Sequence, residues 1–81
     1  MEAFRQDGFK FIIYPNDHNP SHVHVEKAEG EVVIYLGSEN EPPSFRENRG
    51  MRNKDAMKAI RICFKKQEDL LNEWEKIHGK R

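Results

Sequence analysis

The sequence predicts an α+β fold: a small antiparallel sheet of three or four strands with one long C-terminal helix packed on one face. Three observations predict it. Residues 8–36 alternate apolar and polar side chains with the period of two that strands require. The short link Ala28-Glu29-Gly30 joins two of those segments as a hairpin. Residues 54–77 repeat apolar side chains at spacings of three and four, the helical period.

The first strand is Gly8–Tyr14. Phe9, Phe11 and Ile13 alternate there with Lys10, Ile12 and Tyr14, and aromatic and β-branched residues dominate. Pro15 ends it, and Asn16–Ser21 is rich in residues that favour turns. His22–Lys27 is the second strand, with His22, His24 and Glu26 on one face and Val23 and Val25 on the other. The third spans residues 31–36, with Val32, Ile34 and Leu36 opposite Val33 and Tyr35. Residues 37–52 contain Pro42, Pro43 and two glycines and little periodicity, so an irregular crossover is expected, with a short strand near Ser44–Glu47. Asn53 is the expected helix N-cap, with Asp55 in the first turn. The helix then runs over 54–77 and places Ala56, Met57, Ile60, Cys63, Phe64, Gln67, Leu70, Leu71 and Trp74 on one face. Trp74 is expected to anchor the helix end to the sheet, and Gly79 to stop it.

Eighty-one residues make room for a single domain, 1–81. A chain this short buries only about 60% of the surface its unfolded form exposes, so a partner or a second copy would add stability. Charged residues are 35% of the chain, but the apolar ones are patterned, which argues against disorder. No apolar run approaches the ~20 residues of a membrane span. The N-terminus lacks a signal-peptide core, and the one cysteine, Cys63, has no partner for an internal disulfide, so a cytoplasmic location is expected. A net charge of zero hides an asymmetry. Residues 1–45 hold three basic and eight acidic groups, and residues 46–81 hold eleven and six, so the halves carry −5 and +5. Such a dipole suits pairing with a partner protein or a second copy.

Three of the four histidines lie within Asp17-His18-Asn19-Pro20-Ser21-His22-Val23-His24. Histidine titrates near neutral pH and is the commonest metal ligand. His22 and His24 point the same way from one strand, and His18 or Asp17 returning from the loop would complete three ligands with an open fourth position, the pattern of a catalytic zinc site. The spacing permits zinc without requiring it, and no other cofactor is expected. Without metal, His22 and His24 would serve as base and acid in RNA cleavage, with Arg49 or Arg52 stabilising the charged phosphorane. A structural role is open too: His18 and His22 hydrogen-bonding the loop backbone, and His24 packing beside Tyr14 or Tyr35.

The run Asp17-His18-Asn19-Pro20-Ser21-His22-Val23-His24-Val25 resembles the signature of a family of small bacterial proteins, a domain of unknown function numbered 4160. Asn48-Arg49-Gly50 and Trp74 match as well, and the resemblance covers roughly Phe9 to Ile77. Ser21 departs from it, since a second proline is usual there. The family's genes often sit in two-gene modules similar in layout to toxin–antitoxin pairs. The resemblance therefore implies a regulatory module that binds a small protein partner and, in one version, RNA. The enzymatic alternative is an RNase-like hydrolase, metal-free or zinc-dependent.

A basic stripe, Lys54, Lys58, Arg61 and Lys65, lies opposite the apolar face of the helix. Arg46, Arg49 and Arg52 lead into the helix start, and with Arg49 and Arg52 the stripe is the candidate nucleic-acid surface, through backbone contacts rather than base stacking. A solvated face is the plain alternative.

Overall fold

In the computed structural model, which describes residues 1–79, five strands form one sheet. They are β1 (Glu2–Gln6), β2 (Phe9–Ile12), β3 (His22–Lys27), β4 (Gly30–Tyr35) and β5 (Ser44–Arg49). The strands lie in sequence order, each antiparallel to the next. Two helices follow, α1 (Asn53–Lys65) and α2 (Gln67–His78). The α+β class is as expected. The strand count of three or four is corrected to five, and the single helix over 54–77 to two segments.

The strand missing from the sequence reading is β1. Its five residues hold one strong strand former, Phe4, and tertiary contact does the rest. The Phe4 ring stacks on Phe11 with centroids 4.3 Å apart, and the Lys66 ammonium lies 5.5 Å from the same ring. Asp7 and Gly8 turn β1 into β2 with φ of 53° and 84°, the left-handed pair that a two-residue hairpin needs. At the other edge, the expected short strand extends to Arg49.

The alternation in the strands sorts side chains as expected. Phe9, Phe11, Val23, Val25, Val32 and Ile34 are buried in one core with Ala56, Cys63, Leu70 and Trp74 of the helices. Gly30 is required where the chain passes from β5 to α1. A Cβ there would lie 2.7 Å from Met51 Cα and 2.8 Å from the Gly50 oxygen. Asn48 shapes the same crossing, donating from its amide to the Met51 oxygen at 2.9 Å and accepting from the Met51 nitrogen at 2.8 Å.

Lys66, with φ −110° and ψ 17°, divides the helices. Beside it the Gln67 amide donates to Leu36 O at 2.8 Å and to Glu41 O at 3.0 Å. This polar member of the apolar stripe therefore ties the helix to the end of β4. Three helix expectations are corrected. The cap position is Arg52, without a side-chain cap bond, and Asn53 is already helical. Met57 and Phe64 are exposed at 49% and 54%, while Ala59 and Ile62 are buried. At 100° per residue Met57 and Phe64 sit about 110–130° from the centre of the buried stripe formed by Ala56, Ala59, Ile60, Ile62 and Cys63, which turns them toward solvent.

Candidate metal centre

Strand β3 turns His22 and His24 to the face opposite Val23 and Val25, as its period demands. The loop before it, with a cis Asn19–Pro20 peptide, brings Asp17 back over the strand. Asp17 Oδ2 lies 3.3 Å from His22 Nε2 and 3.2 Å from His24 Nε2. One ligand atom from each of the three residues falls within 4.8 Å of the others.

The far side of each ring is already committed. His22 Nδ1 donates to the Pro20 carbonyl at 2.9 Å, and His24 Nδ1 donates to Glu31 Oε2 at 3.3 Å. A carbonyl only accepts, so Pro20 places a proton on His22 Nδ1, whereas His24 lies between two carboxylates, Glu31 at 3.3 Å and Asp17 at 3.2 Å, each able to accept from it. Both Nε2 atoms face the same carboxylate oxygen. Positive charge between the three atoms holds them together, supplied by a proton on Nε2 donating to Asp17 or by one metal ion.

The donor types suit a metal ion, and the two separations from Asp17 match one, while the three ligand atoms together span up to 4.8 Å. Tetrahedral zinc with bonds of about 2.0–2.1 Å sets its ligand atoms about 3.3 Å apart. The observed Asp17 separations are 3.2 and 3.3 Å. Two histidines and a carboxylate also suit iron(II) in an octahedral site, whose ligand edges are shorter, about 3.0 Å. The acceptors on Nδ1 are the outer-shell partners that orient a ligating histidine and make its other nitrogen more basic.

The walls are aromatic and charged. Trp74 stands 5.3 Å from the His22 ring, and Tyr14 meets His24 edge-on at 4.8 Å. Burial, and behind it the Glu26, Glu31 and Asp17 carboxylates, push the Tyr14 hydroxyl above its ordinary value. Glu31 extends the cluster outward: its second oxygen accepts from Arg49 Nη1 at 3.0 Å. Arg49 also grips Glu47 with two bonds of 2.8 and 3.0 Å. Those bonds hold the Glu47 carboxyl below the usual carboxylate range and raise Arg49. A pocket of about 250 Å³ opens beside the cluster, its walls including Asp17, His18, His22, Tyr35 and Arg46.

Of the residues singled out by sequence, Asp17, His22 and His24 come together. His18 is exposed on the pocket wall and supplies no atom to the cluster. Arg49 reaches His24 through Glu31. Arg52, Lys54, Lys58 and Arg61 line a groove of about 790 Å³ with Lys27, and Lys65 lies beyond it. Among the described residues, Arg52, Lys54, Lys58, Arg61 and Lys65 have no ion-pair partner. Cys63 is fully buried, its thiol pushed up to about 12 by desolvation, which removes it as a nucleophile.

Sequence reasoning missed Glu31 and Glu47, and placed Arg46 only among the arginines leading into the helix. Glu31 was within reach. A hairpin pairing Lys27 with Gly30 puts Glu31 opposite Glu26, on the face that carries His24. Arg46 gave no such signal, because it depends on an irregularity in the β4–β5 pairing.

A family model described as "Domain of unknown function (DUF4160)" matches residues 8–75. No curated protein and no solved structure matches the chain.

Proposed function

The chain belongs to that family, a domain of unknown function, and on the geometry of its own residues we propose that it is a metal-dependent hydrolase, with zinc the ion its donors suit best. One observation carries this reading: two histidine nitrogens with fixed outer partners converge on one aspartate oxygen at zinc-like separations. Zinc in such a site lowers the pKa of a bound water to about 7 and polarises an ester oxygen. The chain's own groups do the rest. His22 and His24 are held by Pro20 and Glu31 so that their Nε2 atoms face inward. Trp74 and Tyr14 exclude water from two sides, and the pocket admits substrate from a third.

The metal-free version is less well supported. A base and an acid need their active nitrogens on opposite sides of the scissile bond, whereas here both are directed at one oxygen. A second reading keeps the toxin–antitoxin-like regulatory role, with a protein partner and RNA. The free edge of β5 supports it, since it offers unpaired backbone groups and a Phe45 exposed at 41% to an added strand. The unpaired cations of the α1 groove suit an RNA backbone.

Titration calorimetry with Zn²⁺ tests the first reading. One ion per chain is expected, with binding lost in Asp17→Asn and in His24→Gln while circular dichroism stays native. A native protein that takes up no zinc overturns it. Binding of a short RNA that weakens steeply with salt, with no cleavage in the presence of zinc, would favour the regulatory reading instead.

A further inference from the structure

We infer that the pocket beside the cluster holds a phosphate group, gripped by Arg46, so that the ester hydrolysed is a phosphate ester. This rests on the metal-dependent reading above. Arg46 owes its position to a break in the sheet. Ile34 pairs with Phe45 and Val33 pairs with Glu47, which leaves Arg46 as an extra, unpaired residue in β5. Strict alternation would put Arg46 on the face opposite Glu47. The bulge allows both to serve the same face, and re-aiming a side chain is what bulges beside functional sites do.

The two nearby arginines differ in what they are free to do. Arg49 is held by Glu31 and Glu47. Arg46 has no ion-pair partner among the described residues, yet it lines a pocket that also contains Asp17 and His22. A guanidinium presents a planar fork that matches two phosphate oxygens at once. His18 and Tyr35 stand on the same walls and add further donors.

Size and charge narrow the ligand. A pocket of about 250 Å³ is below the 300–1,000 Å³ usual for whole small molecules. It therefore takes the phosphoryl group and leaves most of the alcohol portion outside. Asp17, Glu31 and Glu47 outnumber Arg46 and Arg49 around the cluster, which opposes an anion there. A divalent ion reverses that sign. Metal and phosphate must then help each other to bind, and the coupling must be reciprocal. In the reaction, a water oxygen bonds to phosphorus and the ester P–O bond breaks. The leaving oxygen takes one water proton, and the other passes to the released phosphate or to solvent.

The test uses phenyl phosphate as probe and benzoate as a carboxylate control, followed by NMR on the full chain with and without one equivalent of Zn²⁺. Phenyl phosphate is expected to shift the Arg46 Nε–H and His18 signals only when zinc is present, and benzoate to bind at least tenfold more weakly. Arg46→Ala is expected to lose tenfold or more in phenyl phosphate affinity and to keep its zinc stoichiometry. Arg46→Lys should recover only part of the loss, because it keeps the charge and not the fork. Equal affinity in native protein and Arg46→Ala, or equal binding of benzoate, overturns the phosphate assignment while the zinc reading stands. Failure of the native protein to bind zinc overturns the metal reading, and the phosphate assignment with it.

Discussion

At Asp17 Oδ2 two imidazole nitrogens meet within 3.3 Å, and every residue-scale property of this protein turns on what holds them there. Pro20 and Glu31 hold them, by accepting from the two Nδ1 atoms. Glu31 touches no inward-facing nitrogen, so its effect is on orientation and basicity alone. Glu31→Gln is expected to weaken zinc binding by about 10- to 100-fold and leave the stoichiometry unchanged, which calorimetry reads directly. Cys63 makes the opposite kind of prediction. A thiol raised to about 12 is protonated at pH 8, so iodoacetamide should leave the native chain unmodified and label it only after unfolding. Rapid labelling of the folded protein would show that the site opens.

At the scale of elements, the hairpins and the helix junction decide which faces meet. Ala28 sits in the β3–β4 turn with φ 54°, a conformation that costs a side-chain-bearing residue about 1–2 kcal/mol. Ala28→Gly relieves it at a smaller entropic cost, and a gain of about 0.5–1 kcal/mol in urea unfolding is expected. The junction at Lys66 depends on Gln67, which reaches two backbone oxygens outside the helices. Gln67→Leu keeps the volume but leaves the Leu36 carbonyl without this donor. A loss of about 1–3 kcal/mol is expected, and a loss below about 0.5 kcal/mol would mean that the junction stands without it. Much of this scale was legible in the chain. The period of two in β3 and β4 was clear from Val23, Val25, Val32 and Ile34. The Asp7-Gly8 turn signal was also there, but the weak alternation of Glu2–Gln6 hid the strand before it. No local pattern announces a strand that depends on a ring stack with Phe11.

Across the whole molecule, one small core joins the sheet to both helices, and the His–Asp cluster leans on its edge through Trp74. Trp74→Ala removes a side chain with 1% exposure and is expected to cost about 3–5 kcal/mol, a large share of the stability of so short a chain. Trp74→Phe keeps most of the volume and should remain folded. Metal acts on the same scale. An ion that binds only the folded state adds about 2.7 kcal/mol at a hundred times its dissociation constant, so saturating zinc should raise the melting temperature by on the order of 10 °C. The rise should vanish in Asp17→Asn. Among the described residues, no helix is long and apolar enough to cross a membrane.

By itself the sequence determined the α+β class, the central hairpin, the buried faces of its strands, the exposed basic stripe and the grouping of His22 with His24. These follow from periodicity and spacing, which act within a few residues and need no knowledge of what lies across the fold. Tertiary structure alone decided that Asp17, and not His18, completes the cluster. It also decided that Arg49 is tied up by two carboxylates, that the long helix breaks where Gln67 reaches Leu36, and that a bulge turns Arg46 toward the pocket. Each of those outcomes depends on loop return, strand register or a long-range hydrogen bond. Those are set by the packing of the whole chain and leave no mark on the local pattern of residues.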